Sequence, residues 1–354
     1  MKNDQPTLLI LTPGFPEDEN DSTCVPAQQL FVKVVNENFP TLNIIVLSFQ
    51  YPFSSRDYLW NGIRIISFGG REKGKFYRLV SWLRVWRKLN KIKKAHNVIG
   101  LLSFWCSECA LIGKRFGRKY NLPHFTWLLG QDAKKENKYV KLMRANTAEL
   151  IAMSDFLAEE FYRNFSIKPG YTIPNGIGST GFAELDLERK IDVLGAGSLI
   201  PLKRYEVFIE IMKELSVTHP SIKAVICGKG PEKNRLAKLI EELGLSDNLM
   251  LEGELPHHQV QQYMRKTKIF LHPSSYEGFS TACLEALYGG AHVISFCKPM
   301  NQHIRHWYIV NTKEEMLQKA IELLKDPAIE YESIMPFSMT ASAKKMMELF
   351  NYKE

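Results

Sequence analysis

Long apolar runs are missing from the start of this chain. The stretch MKNDQPTLLILTPGF holds a single four-residue apolar run, Leu8 to Leu11, too short for a secretory leader or a membrane span. The six cysteines (Cys24, Cys106, Cys109, Cys227, Cys283 and Cys297) lack the spacing of a disulfide framework. Cys106 and Cys109 form a lone CxxC with no second pair, so they read as ordinary buried thiols. These absences predict a cytoplasmic, reducing setting, in which the sequons at Asn20 and Asn164 are chance matches. No DxD pair stands in a strand-end loop. His257–His258 and His303/His306 read as surface or packed histidines, so no metal site is expected.

Positive charge is also scarce outside one segment. The net charge is +8, yet residues Arg71 to Lys94 alone carry ten Lys/Arg against one Glu, leaving the remainder close to neutral. A nucleic-acid-binding protein would need a broader basic footprint, so nucleic acid is not expected as a partner.

What is present is a globular mixture, 45% hydrophobic and 24% charged over 354 residues, long enough for two domains. TLLILTPG, NIIVLSF, GIRIISF, NVIGLLSF, PHFTWLL and ELIAMS read as strands in the first half. Helical patterns run over 26–36 and 77–94. The strands are apolar throughout, which suits parallel sheets covered on both faces. The second half alternates strictly, from IDVLGAG through KAVICG, NLMLEG, KIFLHPS and AHVISF, with helices between. Strict alternation predicts an α/β fold of two Rossmann-like, doubly wound parallel-sheet domains facing across a cleft. The expected organisation is an N-terminal domain over 1–175, a Pro/Gly-containing linker over 176–190, a C-terminal domain over 191–335 and a final helix over 336–354.

Ligands of such sheets sit outside the carboxyl ends of the strands, so the loops that follow strands carry the chemistry. Four stand out: TPGFP (Thr12–Pro16), GSLIPLKR (Gly197–Arg204), CGKGP (Cys227–Pro231) and SSYEGFST (Ser274–Thr281). In the last, Gly278 permits close backbone approach, and the amides of Phe279, Ser280 and Thr281 open a helix, which is an anion-binding geometry. Glu277 stands in the loop and Glu285 inside the helix, so the two address different ends of an elongated ligand. Lys203 and Arg204 start another helix on the same predicted edge.

HPSSYEGFSTACLEALYGGAHVIS resembles the E-x7-E signature of the family 4 glycosyltransferases, retaining enzymes of the GT-B fold. IPNGI, SLIPLKRYEVFIE, GKGPEKNRLAKLIEELGLSDNLMLEGELP, SDFLAEEF and the terminal FSMTASAKKMMELF fall in that family's order, so the resemblance covers most of the chain. It implies glycosyl transfer, with retention, from a nucleotide sugar (a UDP- or GDP-sugar) to a glycan or lipid-linked acceptor. The setting would be cell-surface polysaccharide or glycolipid biosynthesis, with no further cofactor and no metal. Position by position it implies that Glu277 holds donor-sugar hydroxyls, Glu285 the ribose, and Lys203 the leaving diphosphate. Gly14 and the amides of Gly278 to Thr281 would border the phosphates, and the backbone near Glu252 and Leu255 the base. Four departures are visible. Ser198 follows Gly197 where the family often has Arg, with Arg204 at hand to stand in. STCVPAQQ replaces a glycine pair. Leu129 stands where a histidine is common before Gly-x-Asp132, with Asp132 expected on the acceptor side. CKPMNQHIRH replaces a Gly-rich acidic loop. Two other classes fit the same fold: a nucleotide-sugar epimerase, and a non-catalytic nucleotide-binding or partner subunit.

The basic segment admits two readings. Trp82, Arg84, Trp86 and Arg87 mix aromatic and cationic side chains as an interfacial helix does, which would place an acceptor or an anionic membrane surface there and the protein peripherally on the inner face of the membrane. The same pattern describes a Rossmann helix with one solvated face and one buried stripe.

Overall fold

A computed structural model describes residues 3–70, 74–178 and 188–353. The chain divides into two compact units, residues 1–176 with 338–354, and residues 177–337. Most of the expected linker, from 179 to 187, lies outside the described residues, as do Arg71 to Lys73 of the basic segment.

The first unit runs β1 (Asn3–Gly14), α1 (Pro26–Asn38), β2 (Asn43–Tyr51), β3 (Asp57–Trp60), β4 (Ile63–Ser67), α2 (Lys75–Ala95), β5 (His96–Phe104), α3 (Glu108–Tyr120), β6 (His124–Leu128), α4 (Lys138–Met143), β7 (Leu150–Ala152), α5 (Asp155–Phe165) and β8 (Tyr171–Thr172). Its sheet has the order β3-β4-β2-β1-β5-β6-β7-β8. Every pairing is parallel except β3–β4. That antiparallel hairpin turns on Asn61-Gly62, both in left-handed conformation (φ 47° and 77°), the two-residue turn whose twist matches flanking strands. The central strands are buried on both faces. Leu8, Ile10, Val46 and Leu102 enter one core with α1, while Leu9, Leu11, Leu47 and Leu101 enter the other with α2 and α3.

The second unit runs β9 (Ile191–Ala196), α6 (Tyr205–Thr218), β10 (Ala224–Cys227), α7 (Lys233–Glu242), β11 (Leu249–Gly253), α8 (His257–Arg265), β12 (Thr267–His272), α9 (Thr281–Tyr288), β13 (His292–Ser295), β14 (Trp307–Ile309) and α10 (Lys313–Lys325). Its six strands are all parallel, in the order β11-β10-β9-β12-β13-β14. In sequence rank this is 3-2-1-4-5-6, the doubly wound order whose direction reverses between the first and fourth strands. Here the reversal lies between β9 and β12, so the loops after these two strands diverge and leave a crevice at the carboxyl edge.

The last helix, α11 (Met339–Glu348), belongs to the first unit. Ser338 caps it by accepting from the Ala341 amide. Met339, Ala343, Met346 and Met347 are buried in the core that includes α1, and the Ser342 hydroxyl donates to the Pro174 carbonyl at 2.7 Å. Burial of such side chains contributes roughly 1.5–3 kcal/mol each. The chain crosses itself where Gly176 meets the start of α11: a Cβ there would lie 2.2 Å from both the Met339 nitrogen and the Ser338 carbonyl carbon. Backbone cannot rotate aside as a side chain can. Gly176→Ala is therefore expected to destabilise the first unit by about 1–3 kcal/mol, read as a lower denaturant midpoint. An unchanged midpoint would show that α11 is not seated on this segment.

Candidate nucleotide-sugar site

The carboxyl edge of the second sheet is stitched together by backbone. The Gly197 amide donates to the Cys227 carbonyl (3.0 Å), Leu199 to Lys229 (2.8 Å) and Gly228 to Gly253 (2.7 Å). The approach is so close that a Cβ on Gly228 (φ 153°) would lie 1.8 Å from the Gly197 carbonyl oxygen. The loop after β9 ends in a 3-10 turn, Pro201–Lys203. The Leu202 carbonyl of that turn accepts from the Ser275 amide (3.0 Å) and from the hydroxyls of Ser274 and Ser275 (3.2 Å each). The loop after β12 is thereby hung on the loop after β9, across the reversal point.

This suspension brings Lys203 to Glu277. The Lys203 ammonium pairs with Glu277 Oε1, and His272 Nε2 lies 3.1 Å from the same oxygen. Lys203 and Glu277 keep 18% and 16% of their side-chain surface, whereas His272 keeps 4%. Burial opposes ionisation of Glu277, but the His272 hydrogen bond and the Lys203 charge outweigh it and hold the carboxyl at about 2. Burial pushes His272 below its ordinary value, against the hydrogen bond to Glu277 and with the Lys203 charge. The imidazole is then neutral, and its contact to a carboxylate requires Nε2 to carry the proton. Both contacts fall on Oε1.

Arg204 caps α6 in the left-handed region (φ 50°, ψ 45°), a strained conformation for a residue with a Cβ. Its guanidinium lies over the Phe296 ring, 5.3 Å from the centroid. Ser198, earlier on the β9 loop, is exposed. Phe279 anchors the β12 loop from below. Its buried ring stacks on Trp307 (6.3 Å, 3°) and meets Phe337 edge-on at 5.5 Å, so only its backbone is available to a ligand. Helix α9 begins at Thr281, later than the sequence pattern predicts. Ser280 is its cap and takes the Cys283 amide at 3.4 Å.

Glu285 lies inside α9, 9% exposed. Its Oε1 is 2.6 Å from His257 Nε2 at the start of α8. The Glu285 hydrogen bond raises His257 above its ordinary value, against burial. Sequence reading takes His257 for a surface or packed histidine; the helix start after β11 places it on the carboxylate instead. Glu252 has its Oε1 occupied by the Tyr263 hydroxyl, and Leu255 is half-buried on the following loop. Glu277 and Glu285 thus occupy separate microenvironments on one edge, each with its own histidine.

In the first unit, Gly14 ends β1, where a Cβ would meet Tyr51 Cβ at 3.5 Å and Cys24 Sγ at 3.8 Å. The acidic loop that follows is ordered by Asp21, which accepts from the Cys24 amide (3.1 Å) and the Tyr51 hydroxyl (2.9 Å). Asp132, expected to face an acceptor, is 4% exposed. Its carboxylate accepts from the backbone amides of Cys106 (2.8 Å) and Leu129 (2.7 Å). Burial raises it to about 7 in spite of these amides. It therefore ties two strand-end loops together and does not present oxygens to solvent. Cys106 and Cys109 are buried and free.

The tryptophans of α2 also differ from the interfacial reading. Trp82 donates its indole N–H to Glu108 Oε2 at 2.8 Å, and Glu108, buried, also accepts from Gln50. Trp86 packs edge-on to Phe116 at 5.4 Å. Both rings face the core because the helix period puts them on the stripe of Val85 and Leu89. The outward apolar side chains are Leu79, Val80 and Leu83 (53%, 40% and 51% exposed). Arg84 donates to Ser55 Oγ at 2.7 Å. Together with Arg56, Arg87, Lys88 and Lys91 it lines a basic cavity of about 370 Å³. Among the described residues no group of three or more His, Cys, Asp or Glu is arranged to hold a metal ion, and no helix is long and apolar enough to cross a membrane.

The depression of Glu277 has a stability consequence. A carboxyl held at about 2 in the folded protein contributes stability that is present above its unfolded value near 4.5 and is lost as pH falls toward 2. For a half-shielded pair the contribution is roughly 2–3 kcal/mol. Urea titrations of the wild type at pH 6 and pH 3 should differ by more than those of Glu277→Gln. Equal pH sensitivity in the two proteins would mean that the carboxylate is not paired as described.

Residues 182–342 match the family model described as glycosyl transferases group 1. Among curated proteins the chain is 28% identical over 203 residues to the phosphatidylinositol N-acetylglucosaminyltransferase gpi3 subunit of Schizosaccharomyces pombe, covering 55% of this chain and 44% of that protein. It is 28% identical over 194 residues to a Campylobacter jejuni N-acetylgalactosaminyltransferase acting on a diphospho-undecaprenol-linked sugar, covering 50% and 51%. The chain thus spans about half the length of these relatives. Among solved structures, sucrose-phosphate synthase from Thermosynechococcus elongatus superposes with a TM-score of 0.72 at 17% identity over 98% of both chains. Anabaena Alr3699/HepE in complex with UDP and glucose gives 0.70 at 14% identity, over 98% of this chain and 99% of that one. These two likenesses show the fold, the GT-B architecture of two doubly wound parallel sheets. With the strand order and edge chemistry described above, the match identifies residues 182–342 as a region of the glycosyl transferases group 1 family.

Proposed function

We propose that the protein transfers a sugar from a nucleotide-sugar donor to a glycan or lipid-linked acceptor, with retention at the anomeric carbon and without a metal. The observation that carries this reading is the pair of separately held carboxylates, Glu277 and Glu285, on one edge of the second sheet beside Lys203. An elongated donor needs different contacts at its two ends. Glu285, on the helix and near the β11 loop, suits ribose hydroxyls; Glu252 and Leu255 border the space a base would take. Glu277, ionised at neutral pH, suits donor-sugar hydroxyls. Lys203 and Arg204 suit the diphosphate between them, with the backbone of Gly278 to Thr281.

The chemistry follows from charge. Breaking the sugar–phosphate bond leaves negative charge on the diphosphate and positive character on the sugar ring. Preorganised cations and a fixed carboxylate stabilise both without reorganising. Lys203 changes partner when the donor arrives, from Glu277 to phosphate, so the ligand-free ion pair stores the cation where it is needed. Arg204 has no carboxylate partner among the described residues and supplies the cation that Ser198 does not. The relatives act on acceptors with lipid in their names, phosphatidylinositol in one case and diphospho-undecaprenol in another, and Alr3699/HepE and the pneumococcal O-GlcNAc transferase GtfA were solved with UDP. A UDP-N-acetylhexosamine and a lipid-linked acceptor are therefore the first pair to test.

Thermal-shift and calorimetric screening against UDP, GDP, ADP and CMP with their sugars should return one nucleotide. With that donor, Glu277→Ala is expected to lower kcat by at least about 100-fold while nucleotide affinity stays within a few-fold. Glu285→Ala should weaken nucleotide binding instead. Full turnover in both variants would refute the assignment. The acceptor side has its own test, since Leu79, Val80 and Leu83 stand outward near Arg84 and Arg87. Flotation with vesicles of anionic phospholipid should retain the protein at low salt and release it as salt rises. An absence of binding at low salt would remove membrane docking.

A further inference from the structure

We propose that His257 is a positioning residue for nucleotide recognition: it holds one oxygen of Glu285 so that the other is presented to the ribose hydroxyls. The inference rests on the reading of Glu285 as the ribose ligand. Its physical basis is the contact of His257 Nε2 with Glu285 Oε1 at 2.6 Å. A glutamate side chain has three rotatable bonds, and a carboxylate that must accept from a vicinal diol has to be fixed in plane and direction. Its neighbours along the helix, Leu284, Ala286 and Leu287, are buried and apolar and carry no side-chain hydrogen-bonding group. The polar side chain that fixes its Oε1 is His257.

The place of His257 in the fold supports the role. It is the first residue of α8, directly after the β11 loop that would border the base. A change at the base would be felt by the ribose ligand through one side chain. The electrostatic surroundings are simple. Helix α8 packs on α9, β9 and β12. From α9 the group facing the ring is Glu285. The charged groups at the far ends of β9 and β12, Asp192 and Lys268, pair with each other at 2.8 Å. On the preceding loop Glu254 is engaged by Lys229 at 2.6 Å. On α8 itself Arg265 lies more than two turns away, and His258 is the adjacent exposed ring. The Glu285 hydrogen bond and charge raise His257 above its ordinary value against burial, so the ring keeps its proton to higher pH than a free histidine. Protonation strengthens its hold on the carboxylate and places positive charge near an anionic ligand. Binding should therefore be tighter on the acid side of this titration and weaken as pH rises through it.

The test uses the full chain, UDP and 2′,3′-dideoxy-UDP, with calorimetric Kd values from pH 5.5 to 8.5. The wild type should prefer UDP over its dideoxy analogue. His257→Ala should weaken UDP binding about tenfold, lose most of that preference and leave the melting temperature without ligand nearly unchanged. His257→Gln keeps a donor and should restore the preference. Its pH profile should follow only the phosphate of UDP itself, flatter than that of the wild type. If His257→Ala keeps the full preference and the wild-type pH profile while Glu285→Ala loses affinity, the inference is wrong and the reading of Glu285 stands. If Glu285→Ala binds UDP as the wild type does, or if the wild type binds neither UDP, ADP nor GDP, the reading fails and takes the inference with it.

Discussion

One carbonyl, that of Leu202, organises the carboxyl edge of the second sheet. Strand order reverses between β9 and β12, and the loops on either side of a reversal have no ladder to hold them together. The amide of Ser275 and the hydroxyls of Ser274 and Ser275 converge on this oxygen and replace the missing ladder. Lys203 is the next residue on one side, and Glu277 stands two residues beyond Ser275 on the other. A carbonyl can accept more than one hydrogen bond, and here each bond shortens the gap between a cation and the carboxylate it serves. Glycine is needed behind them for the same reason. Gly197 and Gly228 touch backbone to backbone, which keeps the β9 loop low enough for the turn at Pro201–Lys203.

The first unit uses buried carboxylates for a similar purpose. Asp132 draws the amides of Cys106 and Leu129 together, and Glu108 collects Gln50 and the Trp82 indole. Buried acids are costly unless fully hydrogen-bonded: Asp132 is satisfied by amides of two strand-end loops, and Glu108 by side chains from β2 and α2. The cost is recovered as fixed loop geometry at the carboxyl edge of the sheet. The two acids differ in their partners: Asp132 takes backbone amides, while Glu108 takes side chains. Substitution of Gln50 or Trp82 would therefore loosen the Glu108 junction and leave the Asp132 junction intact.

Much of this was legible in the sequence, for identifiable reasons. The apolar strands and the helix over Lys313–Lys325 follow from period and caps, and strict alternation implied the parallel sheet of the second unit. Glu277, Glu285 and Lys203 were marked by position after strands. Other features escaped or stayed open. The β3 strand was missed although Asn61-Gly62 is a strong hairpin signal, because Asp57 to Trp60 is short and half exposed. For the tryptophans of α2 two readings stayed open, because a helical stripe of Trp and Leu reads the same whether it faces lipid or a sheet. Only the partner on the other side, Glu108 or Phe116, distinguishes the two. The contacts of Asp132 with the Cys106 amide and of His257 with Glu285 escaped because they span 26 and 28 residues, and no local pattern encodes them.

The two histidines beside the two glutamates show how burial divides like chemistry. His272 and His257 each place Nε2 on a glutamate Oε1. For His272, at the end of a central strand, desolvation is the larger effect, and the nearby Lys203 charge adds to it. The ring stays neutral and serves as a fixed donor. For His257, at an exposed helix start, the carboxylate hydrogen bond is the larger effect and the ring is drawn toward the charged form. Glu277 already has a permanent cation in Lys203, so a neutral donor is what completes its shell without excess charge. Glu285 has no lysine or arginine partner among the described residues. Among the described residues a protonatable histidine is the source of positive charge on that carboxylate, which makes the surroundings of Glu285 more responsive to pH than those of Glu277.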